Sequence, residues 1–229
     1  MTARELIVAI DGPSAAGKSS AGMLVARRLG YLYVESGAFY RALGWKVRAC
    51  GVDPSGDAAL QTLSETTVIE VVRTPNGARI LVDQRDVTDD LRTPEMSRIA
   101  AQIASNPLVR EPMLKIQRAM AKDGGVVMEG RDIGTVVFPR ADVKFYLDAD
   151  PNVRGDRRYK ELVAKGLAVD LQTTIDEIMA RDRKDMNRTV APLRKADDAI
   201  AIDSTGLTLD EVVDRMVGAV ERQRAATTR

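Results

Sequence analysis

Leu6-Ile7-Val8-Ala9-Ile10 leads through Asp11 into Gly12-Pro13-Ser14-Ala15-Ala16-Gly17-Lys18-Ser19, a fit to GxxxxGK[ST]. The apolar run is short and continuous, as a strand buried on both faces of a parallel sheet must be. From Lys18 to Leu29 the apolar spacing turns helical, and Gly30 stands at the stop. A strand, a glycine-punctuated loop and a helix start in that order form a phosphate-binding loop. The glycines let backbone N–H groups turn inward, and the helix start adds unpaired amides and the positive end of its dipole. Lys18 is then placed to reach β- and γ-phosphates, and the Ser19 hydroxyl to ligate Mg²⁺. Gly12, Pro13, Ser14, Ala15, Ala16, Gly17, Lys18, Ser19 and Ser20 are the residues predicted to bind nucleotide phosphates.

Composition narrows the chemistry further. The 229 residues include no histidine, which excludes Ser-His-Asp and Cys-His nucleophile systems, HExxH metal sites and histidine pH switches. Cys50 is the only cysteine, so no intramolecular disulfide can form, which favours a reducing compartment. With 34 Lys+Arg against 33 Asp+Glu, the net charge of +1 gives no general attraction to nucleic acid or membrane. No apolar run approaches the roughly 20 residues that cross a bilayer, and the N-terminus does not read as a secretion signal. A soluble cytoplasmic protein is expected, with neither nucleic acid nor membrane as partner.

The buried-strand pattern recurs at Tyr31–Val34, Val126–Met128, Val143–Leu147 and Ala199–Ile202. Ser36 reads as the N-cap of a helix through Arg48. Further helical segments are predicted at about 97–122, 151–165, 171–188 and 208–223. Strands alternating with helices imply an α/β fold, a mostly parallel sheet covered on both faces. One stretch departs from this pattern. Val68–Val72, a Thr74-Pro75-Asn76-Gly77 turn and Arg79–Val82 read as an antiparallel hairpin. Residues 62–95 are therefore read as a small inserted subdomain on a core of 1–61 and 96–223, the alternative being an edge hairpin of the main sheet. A frayed tail is expected over 224–229.

A phosphate loop needs an acidic partner for its metal at the end of a neighbouring strand. Val126-Val127-Met128-Glu129 ends an apolar run in a carboxylate, so Glu129 is expected to hold magnesium through water, together with Ser19. No asparagine is followed by lysine, so the Asn-Lys-x-Asp reader of guanine is absent and a signalling GTPase is disfavoured. Arg41 and Arg131, each just beyond a strand end, could clamp an acceptor phosphate. A further arginine group comprises Arg154, Arg157, Arg158, Arg181 and Arg188. Arg181, Asp185 and Arg188 share one helix face by spacing. Taken alone that face reads as a solvated mixed-charge helix; beside the other two arginine groups it reads as functional.

The segments IDGPSAAGKSS, ESGAFYRA, VREPMLKIQR, EGRDIGTVVFP, RDRKDMNR and APL…DST occur in order and resemble those of bacterial cytidylate kinases, over about residues 6–217. The resemblance implies ATP-dependent phosphorylation of CMP and dCMP on a P-loop nucleoside monophosphate kinase fold. That fold has a five-stranded parallel sheet, an acceptor-binding insert and an arginine-rich lid, here about 154–190. By position, Ser36, Arg41 and Arg131 resemble contacts of the acceptor phosphate. Tyr40 belongs to the same substrate-binding stretch. Arg110 and Asp132 resemble cytosine readers, and Arg181 and Asp185 ribose contacts. Arg157 and Arg188 resemble lid arginines that act on the transferring phosphoryl group with Lys18 and Arg131. Ala101 stands where the family commonly has a serine that helps to read the base. A monomer is implied as well. Two other readings stay open: a kinase of another small acceptor such as UMP or AMP, and a non-catalytic nucleotide-binding module.

Overall fold

The computed structural model describes residues 5–74 and 77–227. In chain order the first elements are β1 (Ile7–Asp11), α1 (Lys18–Leu29), β2 (Leu32–Glu35), α2 (Ser36–Ala49) and α3 (Asp57–Thr66). Strands β3 (Ile69–Thr74), β4 (Gly77–Val82) and β5 (Arg85–Asp86) follow, then α4 (Pro94–Ile103) and α5 (Pro107–Met120). Strand β6 (Val126–Gly130) leads into a π-helical turn at Ile133–Val137 and then β7 (Val143–Asp148). The chain ends with α6 (Pro151–Ala164), α7 (Leu171–Asn187), β8 (Ile200–Asp203) and α8 (Leu209–Thr227).

The main sheet has five parallel strands in the order β2-β6-β1-β7-β8. Its residues alternate between two apolar layers, as period-two side chains on a doubly covered sheet must. Ala9, Val34, Val126 and Met128 join one layer with Phe39, Leu43 and Met113. Val8, Ile10, Val127 and Phe145 join the other with Ala21, Val25, Val213 and Met216. The chain leaves β1 through α1 on the second layer and leaves β6 through the π turn, whose Ile133 and Val137 lie in the first. Neighbouring strands whose connections depart over opposite faces open a crevice at their carboxyl ends, the place where α/β folds bind ligands.

Strands β3, β4 and β5 form a separate antiparallel sheet, which rules out the edge-hairpin alternative. Its Ile69 and Val82 are buried in the same layer as Phe39 and Leu43. Pro75 and Asn76, half of the expected turn, lie outside the described residues.

Four local expectations differ from what is found. The helix expected over 97–122 is two helices, because Asn106 caps a new start: its side chain accepts from Leu108 N–H at 3.0 Å and Pro107 takes the first helical position. Pro112 inside α5 has no N–H to offer the Leu108 carbonyl, and the buried Ser64 hydroxyl of α3 donates to that carbonyl instead, at 3.2 Å. Helix α3 itself starts after Gly56 at a position where no element was expected. Ser36 is the first residue of α2 and makes no side-chain cap; Glu35 occupies the cap position in extended conformation. Helix α8 continues to Thr227, past the start of the expected frayed tail. Among the described residues, no helix is long and apolar enough to cross a membrane.

Candidate active site

The loop between β1 and α1 is shaped by steric need. A Cβ on Gly12, whose φ is 150°, would stand 2.0 Å from the Leu147 carbonyl oxygen, so only glycine fits there. Gly17 turns the chain into α1 at φ 94°. Lys18 is buried, and its ammonium donates to the Pro13 carbonyl at 2.6 Å, curling back over the loop. Burial pushes its pKa down to about 7, Arg131 adds to this, and Glu129 opposes it.

Ser19 donates to the Glu129 carboxylate at 3.0 Å, so the two residues expected to share a metal do meet. Glu129 lies beside Glu35 in the strand register. Its carboxyl is pushed up by burial, with Lys18 opposing and Glu35 reinforcing the shift. Glu35 in turn pairs with Arg41 at 2.9 Å. Tyr33, whose buried hydroxyl lies beside Ser19, is pushed up by burial and then by Glu129 and Glu35, with Ser19 opposing. Two carboxylates and two hydroxyls thus converge at the end of β2 and β6, a donor set that suits a hard divalent cation. Among the described residues, no group of three or more acidic, cysteine or histidine side chains could hold a metal unaided. A metal here would need further ligands from water or a bound phosphate.

Across the crevice, charges alternate along a single chain of contacts. Arg110 pairs with Asp132, and the other Asp132 oxygen faces Arg188 at 3.6 Å. Arg188 reaches Asp185 at 3.9 Å, and Asp185 accepts from Arg131 at 2.9 Å. This network joins α5, the turn after β6 and the end of α7. Ser36 Oγ lies against Gly130, where a Cβ would come within 2.4 Å of it. Tyr40 is buried beside Arg110 and Asp132, and burial pushes its pKa up to about 12. Arg181 is exposed yet lies within electrostatic reach of Lys18 and Arg131. The Arg41 Nε and Arg188 Nη2 groups are buried without a hydrogen-bond partner, Nη2 being the nitrogen that faces Asp132.

Arg157 differs from its neighbours in this set. Its guanidinium donates to Ser204 Oγ at 3.0 Å and to the Ser204 carbonyl at 2.7 Å, and Ser204 Oγ in turn donates to the Ala16 carbonyl. The expected lid arginine is therefore seated against the phosphate loop through the turn after β8. It is not in the Arg110-to-Arg131 network.

Two further groups take their places through packing. Asp11 is buried at the end of β1 and accepts the Ile133 and Gly134 amides, each at 2.7 Å. It thereby fixes the turn that carries Arg131 and Asp132. Burial pushes its carboxyl up to about 6 against the pull of those two amides. Arg154 and Asp182 form a buried pair against Ser14. An acidic residue between a strand and its phosphate loop was a legible signal for Asp11; nothing in the local sequence sets Asp182 apart from the charged residues around it.

The cytidylate kinase family model matches residues 8–222. A cytidylate kinase of Geobacter sulfurreducens is 50% identical over 97% of this chain and 96% of its own length. One of Geobacillus kaustophilus is 47% identical over 96% of this chain and 98% of its own. Among solved structures, a gluconokinase from Sinorhizobium meliloti superposes with a TM-score of 0.50 at 15% identity, covering 99% of this chain and 97% of that one. That likeness speaks for the fold alone. The extent and level of the sequence matches leave one conclusion: the chain is a member of the cytidylate kinase family.

Proposed function

We propose the following division of labour in a chain that phosphorylates CMP and dCMP. The Gly12–Ser20 loop takes the phosphates of ATP, with Lys18 on the β- and γ-phosphates. Arg41, Arg131 and Ser36 take the acceptor phosphate, with Tyr40 packed behind them. Arg110 and Asp132 read the cytosine edge, and Arg181 and Asp185 the ribose. Arg188 bridges the base-reading carboxylate of Asp132 and the ribose-reading carboxylate of Asp185. Arg157 braces the loop through Ser204. Helices α6 and α7 form the lid that excludes water, the competing nucleophile. The observation that carries this reading is the unbroken Arg110–Asp132–Arg188–Asp185–Arg131 chain beside the buried Lys18.

The nucleophile is an oxygen of the acceptor phosphate, ionised near neutral pH because its second pKa is about 6. No general base is required, in keeping with the lack of histidine. Catalysis is positioning plus cancellation of negative charge around an in-line transfer. Ser19 and Glu129 would hold Mg²⁺ together with the phosphates, and the ion would supply neutralisation of their negative charge. A cytoplasmic monomer acting on free nucleotides completes the reading.

An acceptor panel with ATP and Mg²⁺, read as ADP formed, tests it. CMP and dCMP are expected to be the best acceptors. Preference for UMP or AMP would move the assignment to another acceptor class, and no ADP with any monophosphate would mean a binding module.

Two variants probe single contacts. Asp185→Ala is expected to cost kcat/KM for CMP roughly tenfold more than for dCMP, which lacks the 2′-hydroxyl. Because Asp185 also orients Arg131, both acceptors should lose some activity; identical losses would take the ribose role away from it. Asp11→Asn turns an amide toward two N–H donors and should loosen the 131–134 turn. Its kcat/KM is expected to fall roughly ten- to a hundredfold. The loss should appear in KM for CMP, with KM for ATP within about threefold of wild type. An equal rise in both KM values would contradict a role confined to the acceptor side.

A further inference from the structure

The backbone of Ser14 is gripped on both sides by side chains from two different helices. Its N–H donates to Asp182 Oδ1 of α7 at 2.8 Å. Its carbonyl accepts from Arg154 Nη1 of α6, also at 2.8 Å. Arg154 and Asp182 pair directly with each other, and each side chain is only 6% exposed. The Arg154 Nε donates to the Ala149 carbonyl at 2.9 Å, which anchors the same guanidinium to the exit of β7. The helices meet closely at this point: a Cβ on Gly155 would stand 2.2 Å from Ile175 Cγ1. The grip is thus built on rigid packing.

Two consequences follow for the loop. Ala15, the residue after Ser14, sits at φ 57°, a left-handed conformation that is strained for a non-glycine residue. Such strain persists only where surroundings over-determine it, and the Ser14 grip does so from both sides. The Ser14 N–H is also taken up by a protein carboxylate, which leaves the amides from Ala15 onward for phosphate oxygens.

Asp182 sits on α7 directly after Arg181 and one turn before Asp185. We infer that Arg154 and Asp182 are positioning residues that clamp the donor-phosphate loop to α7, so that filling the loop sets the Arg181 and Asp185 contacts with the acceptor. This rests on the acceptor role proposed above for Arg181 and Asp185. Donor and acceptor sites are then thermodynamically coupled through one buried ion pair. Neither clamp residue touches a substrate.

The test is the affinity for CMP, measured by calorimetry with and without saturating β,γ-imido analogue of ATP. In the wild type the analogue is expected to tighten CMP by about fivefold or more, the usual scale of such coupling. Asp182→Asn keeps the shape and weakens the pair; the double variant Arg154→Met/Asp182→Leu removes both charges and keeps an apolar filling, a replacement buried ion pairs often tolerate. Both variants should still bind CMP alone within about threefold of wild type, while the analogue's effect shrinks below about twofold. A merely structural pair would lower the melting temperature and leave the coupling ratio intact, and that result overturns the proposal. Absence of coupling in the wild type overturns it too. Asp185→Ala serves as the control on the underlying reading. If it leaves the CMP affinity unchanged, the acceptor role of α7 fails; if it weakens CMP while Asp182→Asn keeps the full coupling ratio, only the clamp fails.

Discussion

Lys18→Met is expected to lower kcat roughly a thousandfold, the scale seen when a preorganised charge-stabilising donor is removed from a transition state. Methionine keeps the buried apolar stem and deletes only the ammonium. In the crevice that ammonium is enclosed, held over the loop by the Pro13 carbonyl, and neighboured by Arg131 and Arg181 as well as Glu129. Its cationic form is disfavoured until phosphates arrive, because burial and like charges have brought its pKa from 10.5 to about 7. Activity should therefore be lost while stability is not. Between pH 7 and about 10 the unfolded chain binds this proton more tightly than the folded one, so this lysine's contribution to stability rises with pH. Below pH 7 it is a full penalty, and Lys18→Met lifts that penalty. The variant should melt at or above the wild-type temperature at pH 6 to 7, with the advantage fading toward pH 10. Turnover within about threefold of wild type, in an assay of ADP formed with CMP and ATP, would remove Lys18 from the phosphoryl-transfer machinery. A melting temperature well below wild type at pH 6 would instead contradict the burial cost assigned to the ammonium.

The α/β core is legible because its signals are local and redundant. Val126–Met128 must be apolar on both faces, and the shift from strand to helical spacing at Lys18 coincides with the loop glycines. The expected helix from Lys18 to Leu29 has the same bounds in the structure. The split at Asn106-Pro107 carried its own cap signal, but the apolar period runs across it and masks the break. Helix α3 was missed because only Leu60 and Ser64 are buried along its ten residues, too few to register as a period. In the site, Ser19 with Glu129 and Arg110 with Asp132 could be paired because each residue sits in or beside a motif. Asp182 and Ser204 could not. Their roles depend on how α6, α7 and the turn after β8 fall against the phosphate loop, over sequence separations of 168 and 188 residues. The same distance effect explains Arg157, whose partner is set by the packing of α6 against that turn.

Asp132→Asn should have the second large effect, on the choice of base. The carboxylate is buried, one oxygen is paired with Arg110 and the other faces Arg188, so its direction is fixed. A fixed carboxylate can accept from the 4-amino group of cytosine, whereas uracil presents an oxygen there and the two would repel. Sites built around one buried polar contact discriminate by orders of magnitude, because the wrong ligand leaves that group unpaired. Ala101, on α4, has no hydroxyl to share the task, so the proposed reading leaves discrimination to the Arg110–Asp132 pair. Asparagine keeps the volume but can turn its own amide toward the uracil oxygen. The ratio of kcat/KM for CMP to that for UMP is therefore expected to fall about a hundredfold or more. Stability should drop as well, since the Arg110 guanidinium loses its buried counter-charge, and a melting curve must accompany the kinetics. If the folded variant keeps the wild-type CMP to UMP ratio, cytosine is read elsewhere, and Arg110 with Asp132 is an internal strut of the crevice.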